Sequence, residues 1–381
     1  MKIGVLTQPL LSNYGGILQA YALQKALKDQ GHEARIIDIH YKKNWFWDFF
    51  KSTCKRVLNI VLFRTFDNNF ILYPNKKEFN GIYKNNLVFI TKNFDKTKRL
   101  NCLKHYSTIA EYNFEAIIVG SDQVWRPEYS PAMPNYFLDF LVDNKSIKKI
   151  TYAASFGVDY WNFSERETET YSKLVQDFNA VSVREDSAVL LCKENFNLDT
   201  TQVLDPTLLL SIEDYENLID KEESSVLLPS LFCYVLDDAP EKKAIIEFLS
   251  TELNLTPNLI DMKIKYKSIN KINLNKSVHP SIGNWINGFK TAEYIVTDSF
   301  HGMVFSILFN KQFIIIGNVD RGMSRFTSLL KLLQLESRLV FSLDQLSTDK
   351  INEPIDYIAV NKIITKEKKK SLEFLATALV Q

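Results

Sequence analysis

The sequence predicts an α/β protein of two domains, each built on a parallel sheet, and three observations carry that prediction. Short apolar runs rich in Val and Ile alternate with helical patterns from Lys2 to Leu204. The alternation resumes from Leu231 to Ile316, after an acidic and polar stretch, Glu213 to Ser225. A chain of 381 residues is long for one core and comfortable for two. Strands covered on both faces read as continuous apolar runs, so the parallel arrangement fits this rhythm.

The elements follow in order. Lys2 to Leu6 reads as a strand, Ile17 to Gln30 as a helix stopped by Gly31, and Ala34 to Ile37 as a second strand, which together make a βαβ unit. Further buried strands are expected at Ala116 to Val119, Lys149 to Ala153, Ala180 to Val183 and Gln202 to Leu204. The second series comprises strands Leu231 to Leu236, Leu259 to Ile260, Tyr294 to Thr297 and Phe313 to Ile316, with helices Pro240 to Leu253, Ser281 to Lys290 and His301 to Phe309 between them. The expected division is therefore a first domain over 1–205, a second over 206–345, and a helical extension over 346–381 that contains an amphipathic helix, Lys362 to Val380. The segment 41–85 departs from the alternation: Trp45, Phe46, Trp47, Phe49 and Phe50 precede Lys51, Lys55 and Arg56. A helical excursion there would pack on its parent domain, or would lay an apolar face on a membrane surface or a lipid-linked substrate.

Composition excludes several classes. Lys+Arg 46 against Asp+Glu 45 leaves a net charge of +1, which lacks the footprint that duplex nucleic acid selects, so any anion site must be local. The 46% hydrophobic and 24% charged residues are those of a globular chain. Cysteines 54, 102, 192 and 233 stand singly, and histidines 32, 40, 105, 279 and 301 have no metal-ligand spacing, so neither a metal nor another cofactor is expected. No run approaches the roughly 18 apolar residues of a spanning helix, and Met1 to Leu6 carries no cleavage site, so a cytoplasmic location is expected.

In parallel α/β domains ligands bind at the carboxyl ends of strands, and those positions hold the chemistry. After the first strand comes Asn13-Tyr14-Gly15-Gly16 at a helix start, where backbone N–H groups can approach an anion or a sugar. Gly120-Ser121-Asp122-Gln123-Val124-Trp125 follows the 116–119 run, with Asp122 as base or hydroxyl anchor, or simply a cap, and Trp125 as stacking surface or core residue. Ser155 sits in the turn Ala154-Ser155-Phe156-Gly157, and Arg184 follows Val183 as a carboxylate clamp or a surface ion pair. In the second domain Thr297-Asp298-Ser299-Phe300-His301-Gly302 sets His301 at a helix amino terminus as acid or anion contact, and Arg321 and Arg325 lie beyond the next strand. Gly283 to Thr291, GNWINGFKT, is no phosphate loop: Phe289 stands where lysine must follow the second glycine, and no strand precedes it. Neither a dinucleotide fingerprint nor a GxSxG elbow occurs.

Taken in order, NYGGILQAYALQKALKDQGHEARIID, VGSDQVWRP, KITYAASFG, VSVREDSAV, VLDPTLLL, VTDSFHGMVFSILFNKQFIII and SRFTSLLKLL resemble the polysaccharide pyruvyl transferases. The resemblance implies two Rossmann-like domains in a GT-B-like arrangement with the active site in the interdomain cleft. It also implies transfer from phosphoenolpyruvate onto two hydroxyls of a sugar as a ketal, in the assembly of capsule, exopolysaccharide or cell-wall glycan. The acceptor would be a sugar, an oligosaccharide or a lipid-linked glycan. His301 matches the motif histidine that contacts or protonates the donor, and Arg184 looks like the arginine that grips it; Ser299, Arg321 and Arg325 complete the expected donor side. Asn13, Tyr14, Gly15, Gly16, Ser121, Asp122, Trp125 and Ser155 form the expected acceptor side, with Asp122 and His301 as catalytic pair. Characterised members often carry Arg two positions before the histidine, where this chain has Ser299. Arg321 or Arg325 then substitutes, or the donor differs. A nucleotide-sugar glycosyltransferase of the same architecture, or a glycan-binding relative without catalysis, are the competing readings.

Overall fold

The computed structural model describes residues 1–40, 80–220, 230–237, 239–260 and 278–380. The excursion expected at 41–85, with its membrane or packing role, falls outside the described residues up to position 79. The first sheet has six parallel strands, β1 (Lys2–Leu6), β2 (Glu33–Ile36), β3 (Ala116–Val119), β4 (Lys148–Ala154), β5 (Ala180–Val183) and β6 (Thr201–Gln202), in the order β2-β1-β3-β4-β5-β6. A second parallel sheet holds β7 (Ser230–Tyr234), β8 (Thr256–Leu259), β9 (Tyr294–Thr297), β10 (Gln312–Ile316) and β11 (Leu339–Val340) in the order β11-β10-β9-β7-β8. The strands β3, β7 and β9 are buried along their whole length, as continuous apolar runs require.

Helices cover both sheets: α1 (Tyr14–Asp29), α2 (Lys84–Asn93), α3 (Glu165–Val175), α4 (Asp186–Phe196), α5 (Ile212–Glu216), α6 (Pro240–Leu253), α7 (Ile282–Thr291), α8 (Phe300–Leu308), α9 (Ser324–Leu333), α10 (Thr348–Asn352) and α11 (Tyr357–Val380). Gly31 follows α1 with φ of 86°, the left-handed conformation that ends a helix without a Cβ penalty. Periodicity misses α3 because ERETETYSKLV is nearly all polar; a capping box between Ser164 and Glu167 starts it instead. β8 begins three residues earlier than expected, since Pro257 sits in an edge strand, where a missing N–H is tolerated.

The two units are joined by apolar packing. Tyr14, in the first turn of α1, stacks on Trp285 of α7 at 5.7 Å and donates its hydroxyl to the Pro280 carbonyl at 2.7 Å. Trp285 in turn meets Tyr234, Phe289 and Phe305 at 5.3, 4.6 and 4.7 Å, so one core runs through both sheets' helices. α11 then crosses back onto the first sheet: Ser371 Oγ accepts from Leu204 N at 3.0 Å, and Lys148 Nζ donates to Leu379 O at 2.6 Å. No helix among the described residues is long and apolar enough to cross a membrane.

Because Trp285 is fully buried between the units, Trp285→Ala is expected to cost about 3–5 kcal/mol, the usual range for emptying an aromatic site. The midpoint of urea unfolding measures it, and a shift equivalent to less than about 1 kcal/mol would mean that the domains are not held by this contact.

Candidate active site

Strand order brings four loops of the first sheet to one place. Arg184, immediately after β5, donates Nη1 to Asp205 Oδ2 at 2.6 Å, and its other nitrogens lie 3.6 Å from Asp122 and 3.9 Å from Glu185. Asp122 follows β3 with φ of 71° and accepts from the Gln123 amide at 2.9 Å and from Asn13 Nδ2 at 3.4 Å. Ser155, after β4, donates to Glu185 at 2.8 Å, while Ser121 donates to the Ala153 carbonyl at 3.0 Å. Asp205 lies just past β6, where its other oxygen takes the Thr207 hydroxyl and amide at 2.6 and 3.0 Å.

The second domain places one helix start against this cluster. Ser299 caps α8, accepting from the Gly302 amide at 3.4 Å, and His301 Nε2 stands 3.7 Å from Asp205 Oδ2. On its other side the imidazole rests on Gly15: a Cβ there would lie 2.0 Å from His301 Nδ1. Only glycine lets the first turn of α1 approach this closely. Phe300 faces two guanidiniums, Arg184 at 4.6 Å and Arg325 at 5.5 Å from its ring centroid. Arg325, on α9, is 8% exposed and, among the described residues, has neither an ion pair nor a hydrogen bond. Arg184, Asp205, Phe300 and Arg325 border a cavity of about 150 Å³.

Electrostatics separate the two arginines. Burial opposes the charge of Arg184, but Asp205, Asp122 and Glu185 outweigh it and hold the guanidinium above its ordinary pKa. Burial and then Arg184 itself push Arg325 down to about 10, with Asp122 and Glu185 opposing the shift from a distance, so it remains a cation at neutral pH without a direct ion pair among the described residues. Asp205 is likewise buried, yet His301, Arg184 and Thr207 hold it well below the usual carboxylate range.

Other expected site residues lie elsewhere. Trp125 is fully buried, stacked on Phe137 at 5.2 Å with its indole N–H on the Tyr136 carbonyl, so it offers no face to a sugar. Tyr14 is turned into the domain junction. Arg321 reaches Asp237 at 3.0 Å and Asp298 at 3.4 Å, a network shared with Lys242, and its carbonyl accepts from Arg126 at 2.8 Å. Gly16 is half-buried and stands beside the exposed Asn13 that precedes α1.

The sequence profile of the family described as polysaccharide pyruvyl transferase matches residues 13–321. The chain belongs to that family. No curated protein matches its sequence. The transferase fold is shared with UDP-N-acetylglucosamine 2-epimerase from Rickettsia bellii, at 11% identity, a TM-score of 0.50, and coverage of 100% of this chain and 97% of that one. It is shared equally with UDP-GlcNAc 2-epimerase from Neisseria meningitidis bound to UDP-GlcNAc, at 10% identity and a TM-score of 0.51, and with a mutant of S. aureus TarM in complex with UDP, at 13% identity and a TM-score of 0.50; each covers 100% of both chains. At such identities the likeness concerns fold alone: two Rossmann-like domains in the GT-B arrangement.

Reading strand ends finds Arg184, Asp122 and His301 in this transferase but passes over Asp205, which looks like a mere boundary in Asp205-Pro206. Its place directly after an apolar run was the available signal. Glu185, the buried acceptor for Ser155, is missed because an acid beside an arginine resembles a surface pair.

Asp205 carries a pH signature. A carboxylate whose folded pKa is depressed stabilises fully above its unfolded pKa and loses that contribution as pH falls. The stability gap between the wild type and Asp205→Asn is therefore expected to be constant above about pH 5 and to narrow below about pH 4. Urea midpoints at pH 7, 4 and 3 measure it; a gap independent of pH would refute the ion pair. Gly15→Ala should displace the imidazole, read as a changed His301 ring resonance by NMR, and an unmoved resonance would mean that α1 had shifted instead.

Proposed function

We propose that this protein transfers the enolpyruvyl-derived group of phosphoenolpyruvate onto two hydroxyls of a sugar, forming a pyruvate ketal during surface polysaccharide assembly. The observation that carries the proposal is Arg325, a buried and unpaired cation beside Arg184, bordering a small chamber next to the His301–Asp205 pair. Phosphoenolpyruvate brings a phosphate and a carboxylate, which two guanidiniums suit. A chamber of about 150 Å³ lies below the roughly 300–1,000 Å³ of pockets for drug-sized ligands, and so disfavours a nucleotide sugar. Lys242 and Arg321, at the carboxyl ends of the second sheet, are already paired with Asp237 and Asp298.

The chemistry follows from the donor. His301, whose Nε2 stands 3.7 Å from Asp205, delivers a proton to the methylene carbon, which becomes a methyl group, and positive charge develops at the adjacent carbon. A sugar hydroxyl attacks that carbon and loses its proton to a base, for which Asp122 at the Asn13 side is the candidate. The carbon–oxygen bond to phosphate then breaks, and the second hydroxyl adds at the same carbon as its proton leaves with the phosphate. Diol and phosphoenolpyruvate thus become ketal and inorganic phosphate. Arg184 and Arg325 stabilise the departing anion. Ser299 caps the helix that presents His301, and Asn13, which donates to Asp122, lines the acceptor side.

Phosphate release from phosphoenolpyruvate is expected only with an acceptor that offers a suitable diol. His301→Ala should lower turnover by at least about 100-fold, the scale of a lost general acid, with an unchanged melting temperature. Arg325→Ala should raise KM for phosphoenolpyruvate more than it lowers kcat. Near-normal turnover in His301→Ala, or no phosphate release across sugars with vicinal and 4,6-diols, would count against the proposal.

A further inference from the structure

The lining of the chamber beside Arg184 includes neither His301 nor any residue of α1. Gly15 lies against His301, Arg126 donates to the Arg321 carbonyl at 2.8 Å, and a Cβ on Gly322 would lie 2.0 Å from the Gly157 carbonyl, so the cleft is shut over the cluster. The chamber's remaining walls come from the β6 end at Gln202, from α9 at Leu329 and Leu332, and from α11 at Glu367 and Lys370. Ser371 fixes this face of α11, because its hydroxyl bonds Leu204 N at 3.0 Å and the Glu367 carbonyl at 2.7 Å. Lys370 has a half-exposed side chain (52%), whereas that of Glu367 is 17% exposed, and the two are 3.6 Å apart. Lys370 therefore stands at the mouth, with Glu367 behind it and the unpaired Arg325 in the wall.

We propose that α11 supplies the gate of an anion chamber: a small phosphate-bearing carboxylate enters past Lys370, which becomes its outer cation as Arg325 becomes its inner one. The part that names phosphoenolpyruvate rests on the function proposed above; the chamber's affinity for a phosphate dianion does not. Glu367 competes with the ligand for Lys370 and repels any anion that lacks the charge to displace it. Such competition makes Glu367 a selectivity residue and Lys370 a binding residue, with opposite effects on affinity. It also separates the donor's way in, along α11, from the acceptor side at Asn13.

Calorimetric titration of the full chain with inorganic phosphate, and separately with phosphoenolpyruvate, tests this. Lys370→Ala is expected to weaken phosphate binding about tenfold, the size of one charge-assisted contact, and Glu367→Gln to tighten it. Lys370 is half-exposed, so the melting temperature of its variant should not move. Absence of phosphate binding, or equal affinity in wild type and both variants, overturns the chamber. Opposite shifts with phosphate, but no binding or consumption of phosphoenolpyruvate, uphold the chamber and remove the donor. Normal consumption with KM unchanged in Lys370→Ala upholds the donor and removes the gate.

Discussion

Everything at the domain junction depends on keeping Arg184 charged although it is almost wholly buried. Removing a guanidinium from water costs several kcal/mol unless carboxylates and hydrogen bonds replace the hydration. Here Asp205, Asp122 and Glu185 do so, from the ends of β6, from the β3 loop and from the residue beside it. The strand order β3-β4-β5-β6 makes those positions neighbours, so the sheet's topology is what renders the buried cation tolerable. A sheet with β5 at the other edge would leave the arginine without partners.

The second domain completes the cluster through close approach rather than through charge alone. His301 reaches Asp205 because the first turn of α8 can sit on Gly15, and Phe300 covers Arg184 with an aromatic face. Tyr14, next to Gly15, locks the same turn of α1 to the other unit through Trp285 and Pro280. Adjacent residues of one motif thus divide the work: one holds the domains together, the next admits the imidazole. Reading Asn13 to Gly16 as a ligand loop does not anticipate this division.

How much was legible follows from what each signal measures. Burial on both faces writes itself into strands as apolar runs, so β1, β3, β5 and β9 are found at their observed ends, while the short β6 and the proline-containing edge strand β8 are not. Strand-end position identifies Arg184 and His301, because topology alone puts such residues in the cleft. It cannot tell which side chains point there. Trp125 and Asp122 share one loop, yet one enters the core on Phe137 and the other faces Arg184. Pairing is also invisible in sequence: Asp205 lies 21 residues from Arg184, and 96 from His301, by numbering. Lys370 and Glu367 belong to a helix that reads as an ordinary amphipathic extension, and only its return onto the first sheet brings them to the cavity.

The serine at position 299 gains a physical meaning from the same accounting. The resemblance of the sequence motifs implies an arginine at this position, two residues before the histidine. In this chain Ser299 instead caps α8 with its hydroxyl, so the position contributes a dipole and no charge. Of the two arginines that follow, Arg321 faces two carboxylates of the second sheet, and its charge is already matched. Arg325 is matched by none among the described residues, and it shares the Phe300 ring with Arg184. A buried cation held without a counterion is costly unless something anionic visits it. The proposed function assigns the charge that an arginine at 299 would bring to Arg325, on α9 instead of α8. α9 also lines the chamber, through Arg325, Leu329 and Leu332, opposite Glu367 and Lys370 of α11, so the cationic face proposed for the donor looks toward the C-terminal helix.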